Sequence, residues 1–130
     1  MADNVLVKAI VADHAELARV VALFRSDDAD DDERFQAIDV VRAHLERERD
    51  AVRELGSEPK GWKEIEKIDN WTYEIEPMNH DLSNAVYKDA IDGMTKAIEK
   101  HMDWDREVLA PLVNDLPDDA AERIAKAGDE

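Results

Sequence analysis

The side chains best suited to chemistry in this chain are its histidines and the carboxylates that follow two of them. The four histidines are His14, His44, His80 and His101. Glu48 follows His44 by four residues, and Asp105 follows His101 by four residues. On a helix, residues four apart share a face, so each pair would present a nitrogen and an oxygen donor together. Histidine with carboxylate suits iron or manganese, and zinc is compatible by ligand type.

The elements that must position these residues are predicted to be helices. The 130 residues are 44% apolar and 38% charged, with four glycines and four prolines, which is typical of an all-α domain. A first helix is predicted from Val5 to about Arg25. A second helix is predicted from about Asp32 to Leu55, where Gly56 would end it.

The second half of the chain is predicted to complete the helical domain. Residues 62–90 form one irregular helical arm that Pro77 breaks or kinks, and a fourth helix runs from about Gly93 to Val113. A short amphipathic tail helix follows Pro117. The prediction is an all-α fold, an up-down-up-down four-helix bundle with a short C-terminal tail helix, in which residues 1–130 form a single domain with its core at about 5–115.

The histidines are predicted to meet at one level of this bundle. In an up-down-up-down bundle the four helices share one end, and each histidine lies about 8–11 residues along its helix from that end. At the rise of an α-helix this places every histidine about 12–17 Å from the shared end. The apolar stripes of the helices also include His44 with Glu48 and His101 with Asp105, so these side chains should face the core.

Carboxylates on a core face point to a metal. A lone ionised carboxylate in a bundle core costs several kcal/mol, and coordination of a cation removes that cost. Glu48 and Asp105 can bridge two ions while the imidazoles occupy terminal positions. We therefore predict a dinuclear site and favour two iron ions, because a redox metal makes use of bridging carboxylates; manganese and zinc are the alternatives.

Three sequence blocks resemble the hemerythrin-like HHE domain family over roughly residues 5–115. They are DHAEL at 13–17, HLERE at 44–48 and HMDWDREVLAPL at 101–112. The resemblance implies a four-helix bundle with two iron ions. It also implies that the four histidines are terminal ligands and that Glu48 and Asp105 bridge the ions.

The sequence departs from this family on the third helix. Oxygen-carrying members have two histidines four residues apart there, whereas Glu76 precedes His80 by four residues and Asn84 follows it by four. Either the site has one protein ligand fewer, or Glu76 is the additional metal ligand.

The resemblance implies a protein that interacts with oxygen, nitric oxide or iron, in sensing or storage. A di-iron redox enzyme that decomposes peroxide and a regulatory interaction module that folds around its metal are the alternatives. The ligands are the same in each case, so the sequence leaves open whether the chain is an enzyme and assigns no catalytic residue. The expected partner is a small diatomic ligand or peroxide, and no protein partner is identified.

Composition excludes several other classes. The formal net charge of −16 is unfavourable for binding nucleic acid, whose phosphates it would repel. The absence of cysteine excludes disulfides, iron–sulfur clusters and thiolate zinc sites. No apolar run approaches the ~20 residues that span a bilayer, and the N-terminus has no basic and apolar signal segment. We therefore expect no membrane association and a cytoplasmic location.

Overall fold

The fold is all-helical in the computed structural model, which describes residues 3–26 and 28–127. No strand occurs in these ranges. The helices are α1 (Val5–Phe24), α2 (Asp31–Leu55), α3 (Trp62–Glu66), α4 (Ile68–Ile75), α5 (Ala85–Trp104), a π-helical turn (Asp105–Leu109), α6 (Ala110–Val113) and α7 (Asp118–Ala127). None of the helices in the described part of the chain has the length and apolar character needed to cross a membrane.

The ends of α1 and α2 are set by capping residues. The Asn4 side chain accepts a hydrogen bond from the Val7 amide at 2.9 Å and begins α1. Asp30 and Glu33 form a reciprocal capping box at the start of α2. Gly56, with φ of +79°, ends α2 in the left-handed conformation that glycine adopts without strain. The sequence-based bounds of both helices are confirmed to within about a residue.

The segment after α4 differs from the prediction. Residues 76–84 contain no helix, so the predicted helical arm is wrong over residues 78–84, and residues 85–90 belong to α5 instead. Pro77 lacks the amide proton that a continuing helix needs. The Asn84 side chain then accepts hydrogen bonds from the amides of Val86 and Tyr87 and begins α5 eight residues before Gly93.

Tertiary contacts hold this segment in place. The side chain of Arg34, which is 3% exposed, donates hydrogen bonds to the carbonyls of Ile75 and Met78. Gly93 lies within α5, where an added Cβ would lie 2.6 Å from the Trp71 ring. A glycine at this position lets the indole lie directly against the helix backbone, so α4 and α5 approach closely.

The helix that carries the last histidine widens into a π turn at Asp105. The Ala110 amide bonds to the Asp105 carbonyl five residues back, and the chain then continues through α6 without a break. Pro111 has no amide proton for the carbonyl of Glu107, and its ring crowds that carbonyl. We attribute the π turn to this proline. Such turns are frequent at functional sites.

The core lies between α1, α2, α4 and the long arm from α5 to α6, and α7 covers α1 and α2. Its fully buried aliphatic and aromatic side chains include Leu6, Ile10, Leu17, Phe24, Ile38, Leu45, Ile91 and Ile98. Each such side chain contributes about 1.5–3 kcal/mol when removed from water. The predicted tail helix is confirmed, and Ile124 is 3% exposed on its inner side.

Candidate metal centre

Among the described residues, five histidine, aspartate and glutamate side chains are buried within this apolar core, and each is at most 5% exposed. We call them the polar cluster; its members are His14, His44, Glu48, His101 and Asp105. They come from α1, α2, α5 and the π turn. The pairs His44–Glu48 and His101–Asp105 face inward as their spacing predicts.

Four members of the polar cluster place their donor atoms within 4.8 Å of one another, and this group could hold a metal ion. The Nε2 atoms of His44 and His101 are 2.9 Å apart. Asp105 Oδ2 lies 3.1 Å from His44 Nε2 and 3.0 Å from His101 Nε2. Glu48 Oε2 lies 2.6 Å from His101 Nε2 and also contacts His44 Nε2.

His14 joins this group from α1. Its Nε2 atom lies 2.7 Å from Asp105 Oδ2. The His14 and His44 rings meet edge to face, with centroids 5.8 Å apart. Three imidazoles and two carboxylates therefore surround one buried volume.

The donor atoms have the properties expected of a metal site. Two Nε2 atoms 2.9 Å apart cannot both carry a proton toward each other, so at least one presents a lone pair. The second oxygens of the carboxylates, Glu48 Oε1 and Asp105 Oδ1, are buried and have no hydrogen-bond partner among the described residues. An unpartnered buried acceptor costs about 1–3 kcal/mol, and more when charged. A bound cation would supply the missing partner.

The carboxylates and imidazoles shift one another's pKa values. Burial alone would lower the pKa of His44, but the charge of Glu48 and hydrogen bonding to Asp105 raise it well above its ordinary value. Burial also lowers the pKa of His101, but the charge of Glu48 and the hydrogen bonds of His101 to Asp105 and Glu48 raise that pKa to about 9.

The two carboxyl groups shift in opposite directions. Burial raises the pKa of Glu48, and the neighbouring His44 and His101 offset only part of that effect. Burial would also raise the pKa of Asp105, but hydrogen bonds from His101 and His14 hold it well below its usual range. The raised pKa values of His44 and His101 favour proton retention in the metal-free cluster, and a metal ion must displace the proton from the nitrogen that it binds.

The raised pKa of His101 predicts how the metal-free protein responds to pH. A histidine whose pKa is higher in the folded state than in the unfolded state stabilises the fold when it is protonated. This contribution is fully present below the pKa of the unfolded state, about 6.5, and is lost as the pH rises through the pKa of the folded state. We expect the free energy of unfolding to fall by on the order of 3 kcal/mol as the pH rises from about 6.5 through about 9. Urea denaturation with excess chelator measures this. His101→Gln should make the profile less steep, with the remaining fall due to the raised pKa of His44, and a constant or rising free energy for the unmodified protein would contradict the expectation.

His80 does not reach the polar cluster. It lies in the non-helical segment 76–84, so the prediction that it lies on a helix is wrong, and it is not among the donor residues that the structure groups together. Its Nδ1 atom is 2.6 Å from the Tyr87 hydroxyl, and its Nε2 atom is 3.1 Å from the Ser26 carbonyl. Both ring nitrogens are therefore engaged away from the site.

Glu76 also lies outside the cluster. It follows the last residue of α4, and its Oε2 atom is 2.8 Å from Arg42 Nη1 in a partly exposed ion pair. Pairs of this kind contribute about 0–1 kcal/mol. The structure places Glu76 in a surface role and does not bring it to the buried carboxylates.

One residue beside the cluster was not predicted from the sequence. Asp13 Oδ2 lies 2.9 Å from His44 Nδ1 and 2.7 Å from Arg47 Nη1. Asp13 directly precedes His14, so it lies off the apolar stripe that identified His14 as inward-facing. His44 and Arg47 are three residues apart on α2 and both can donate hydrogen bonds. This pairing was the one indication in the sequence that an acidic side chain of another helix would lie opposite them.

No family model matches this sequence, and searches of curated proteins and of solved structures also found no match. The candidate centre is therefore defined by its geometry and its donor atoms.

Proposed function

We propose that this chain is a non-haem di-iron protein of the hemerythrin-like HHE kind that interacts with oxygen, nitric oxide or iron, in sensing or storage. The observation that carries the proposal is the convergence of three imidazoles and two carboxylates in one buried volume. The four arms formed by α1, α2, α3–α4 and α5–α6 are compatible with the four-helix bundle of that family.

The free oxygens of the carboxylates are the basis for proposing two ions. Glu48 and Asp105 each contact imidazoles through one oxygen and leave the other oxygen buried without a partner in the described chain. If two ions bind, Glu48 and Asp105 would each offer both carboxylate oxygens, and His14, His44 and His101 would each offer a ring nitrogen.

Because His80 and Glu76 lie outside the polar cluster, the number of protein ligands available to the metal is reduced. Five side chains provide fewer protein donors than two iron ions with octahedral coordination require, so coordination positions remain for water or a small ligand. When bound, the iron pair would supply a redox-active site for a diatomic molecule or peroxide. The protein contributes the ligands and restricts solvent, because every member of the polar cluster is at most 5% exposed.

Metal analysis of the purified protein tests this proposal. We expect two iron ions per chain after anaerobic ferrous loading, and ferric charge-transfer absorption after exposure to air. One ion per chain would contradict the dinuclear site, and no bound metal would contradict the proposal as a whole. Preferential retention of manganese or zinc in competition with iron would contradict the choice of metal.

The same preparation separates the alternative functions. A spectral change with oxygen or nitric oxide, without turnover of peroxide, supports a binding protein. Sustained oxygen evolution from added hydrogen peroxide would instead favour the redox enzyme. A chain that folds only when metal is present, and that responds to none of these molecules, would favour the regulatory module.

A further inference from the structure

The three imidazoles of the polar cluster differ in how their outer nitrogens are held. His44 Nδ1 lies 2.9 Å from the Asp13 carboxylate. The Nδ1 atoms of His14 and His101 are buried and have no hydrogen-bond partner in the part of the chain that the structure describes. His44 is therefore the ligand candidate whose orientation is controlled by a carboxylate outside the cluster.

We propose that Asp13 is a positioning residue that fixes His44 for metal binding; this inference rests on the proposed function. An ionised carboxylate only accepts hydrogen bonds, so the proton of a neutral His44 ring lies on Nδ1. That tautomer leaves the lone pair on Nε2, the atom that faces Glu48 and His101. A carboxylate partner also makes the imidazole a stronger ligand.

Asp13 is itself held in position by Arg47. The Arg47 side chain, which is 5% exposed, donates from Nη1 to Asp13 Oδ2 at 2.7 Å. Its other terminal nitrogen donates to the Ala125 carbonyl of α7 at 3.3 Å. A continuous series of contacts thus runs from the tail helix through Arg47 and Asp13 to His44. The tail helix helps to support the metal site although it provides no ligand.

The solvent exposure around Asp13 indicates how strongly its removal should weaken metal binding. A pocket of about 120 Å³ adjoins the Asp13–His44 contact, and the Asp13 side chain is 25% exposed. Water can therefore reach His44 Nδ1 when the carboxylate is removed, and it would hold the ring less firmly. We expect a reduced metal affinity rather than its complete loss, in the range of about 10–100-fold that outer carboxylates contribute.

The test uses zinc as a diamagnetic probe of the full chain. We expect Asp13→Ala to weaken zinc binding by about 10–100-fold in competition with a chelator, and Asp13→Asn to weaken it less because its amide oxygen still accepts the proton. Histidine ¹H–¹⁵N spectra of the zinc-loaded protein should show His44 protonated at Nδ1, and Asp13→Ala should broaden or shift that signal. A merely structural role would leave the exchange rate and chemical shift of that Nδ1 proton unchanged.

Glu16→Gln provides the matched control. Glu16 lies on the same helix, lines the same pocket and pairs with Arg19 rather than with His44. Its zinc affinity should equal that of the unmodified protein. Unchanged zinc affinity in Asp13→Ala, with loss only of stability in the presence of chelator, would overturn the inference and leave the proposed function intact. An unmodified protein that binds no zinc would instead overturn this inference, whereas the proposed function is judged by iron loading.

Discussion

Glu48→Gln should lower the affinity for iron by at least about 100-fold, beyond the usual effect of residues that only support a ligand. The Glu48 side chain is 0% exposed, and its Oε2 atom lies 2.6 Å from His101 Nε2. Glutamine keeps the shape but removes the negative charge and the ability to bridge two cations. Isothermal titration with ferrous iron under anaerobic conditions, together with metal analysis, measures the loss. Replacing His101 with alanine should have an effect of the same order.

The matched controls for this prediction are the two residues that the structure places outside the cluster. Glu76→Gln makes the same chemical change in a partly exposed ion pair with Arg42, and His80→Gln removes a histidine that contacts Tyr87. Both should bind iron like the unmodified protein. If Glu48→Gln retains its metal, or if His80→Gln loses it, the proposed ligand set is wrong.

Loss of metal in Glu48→Gln must be distinguished from loss of the fold. The glutamine has the volume of the glutamate, and the substitution removes a carboxylate whose Oε1 atom has no partner among the described residues. The metal-free variant should still fold, but with lower stability than the metal-free parent near neutral pH, because the substitution removes the charge that pairs with the His44 and His101 imidazoles. Circular dichroism and urea denaturation in the presence of chelator check this expectation.

The second large effect expected is a rise in melting temperature on metal binding. A ligand that binds only the folded state at about 1,000 times its dissociation constant adds about 4 kcal/mol to the free energy of unfolding. For a chain of 130 residues this corresponds to a rise on the order of 10–20 °C. The cation would also supply a partner for the unsatisfied carboxylate oxygens and reduce the repulsion between Glu48 and Asp105.

Thermal melts at increasing iron concentration, and after addition of chelator, measure this stabilisation. The melting temperature should rise with free metal and return to the metal-free value when chelator is added. Glu48→Gln should show almost no dependence on metal over the same range. A melting temperature that is independent of metal in the unmodified protein would mean that the polar cluster does not bind the ion in the folded state.

Local information in the sequence was sufficient for α1, α2 and the two histidine–carboxylate pairs. Helical periodicity determines which residues share a face, and a four-residue step keeps His44 beside Glu48 and His101 beside Asp105. The inward direction of each pair followed because the neighbouring stripe positions are apolar.

The tertiary structure determined the position of His80 and the Asp13–His44 contact, neither of which follows from helical periodicity. The expected height of His80 assumed a helix through residues 78–90, whereas Asn84 begins α5 and Arg34 holds the preceding segment by its carbonyls. The Asp13–His44 contact likewise joins two helices through a residue off the apolar stripe. The spacing of residues along one helix therefore determined each local donor pair. Which side chains from different helices meet depends on the path between helices and on contacts distant in sequence, which only the folded chain establishes.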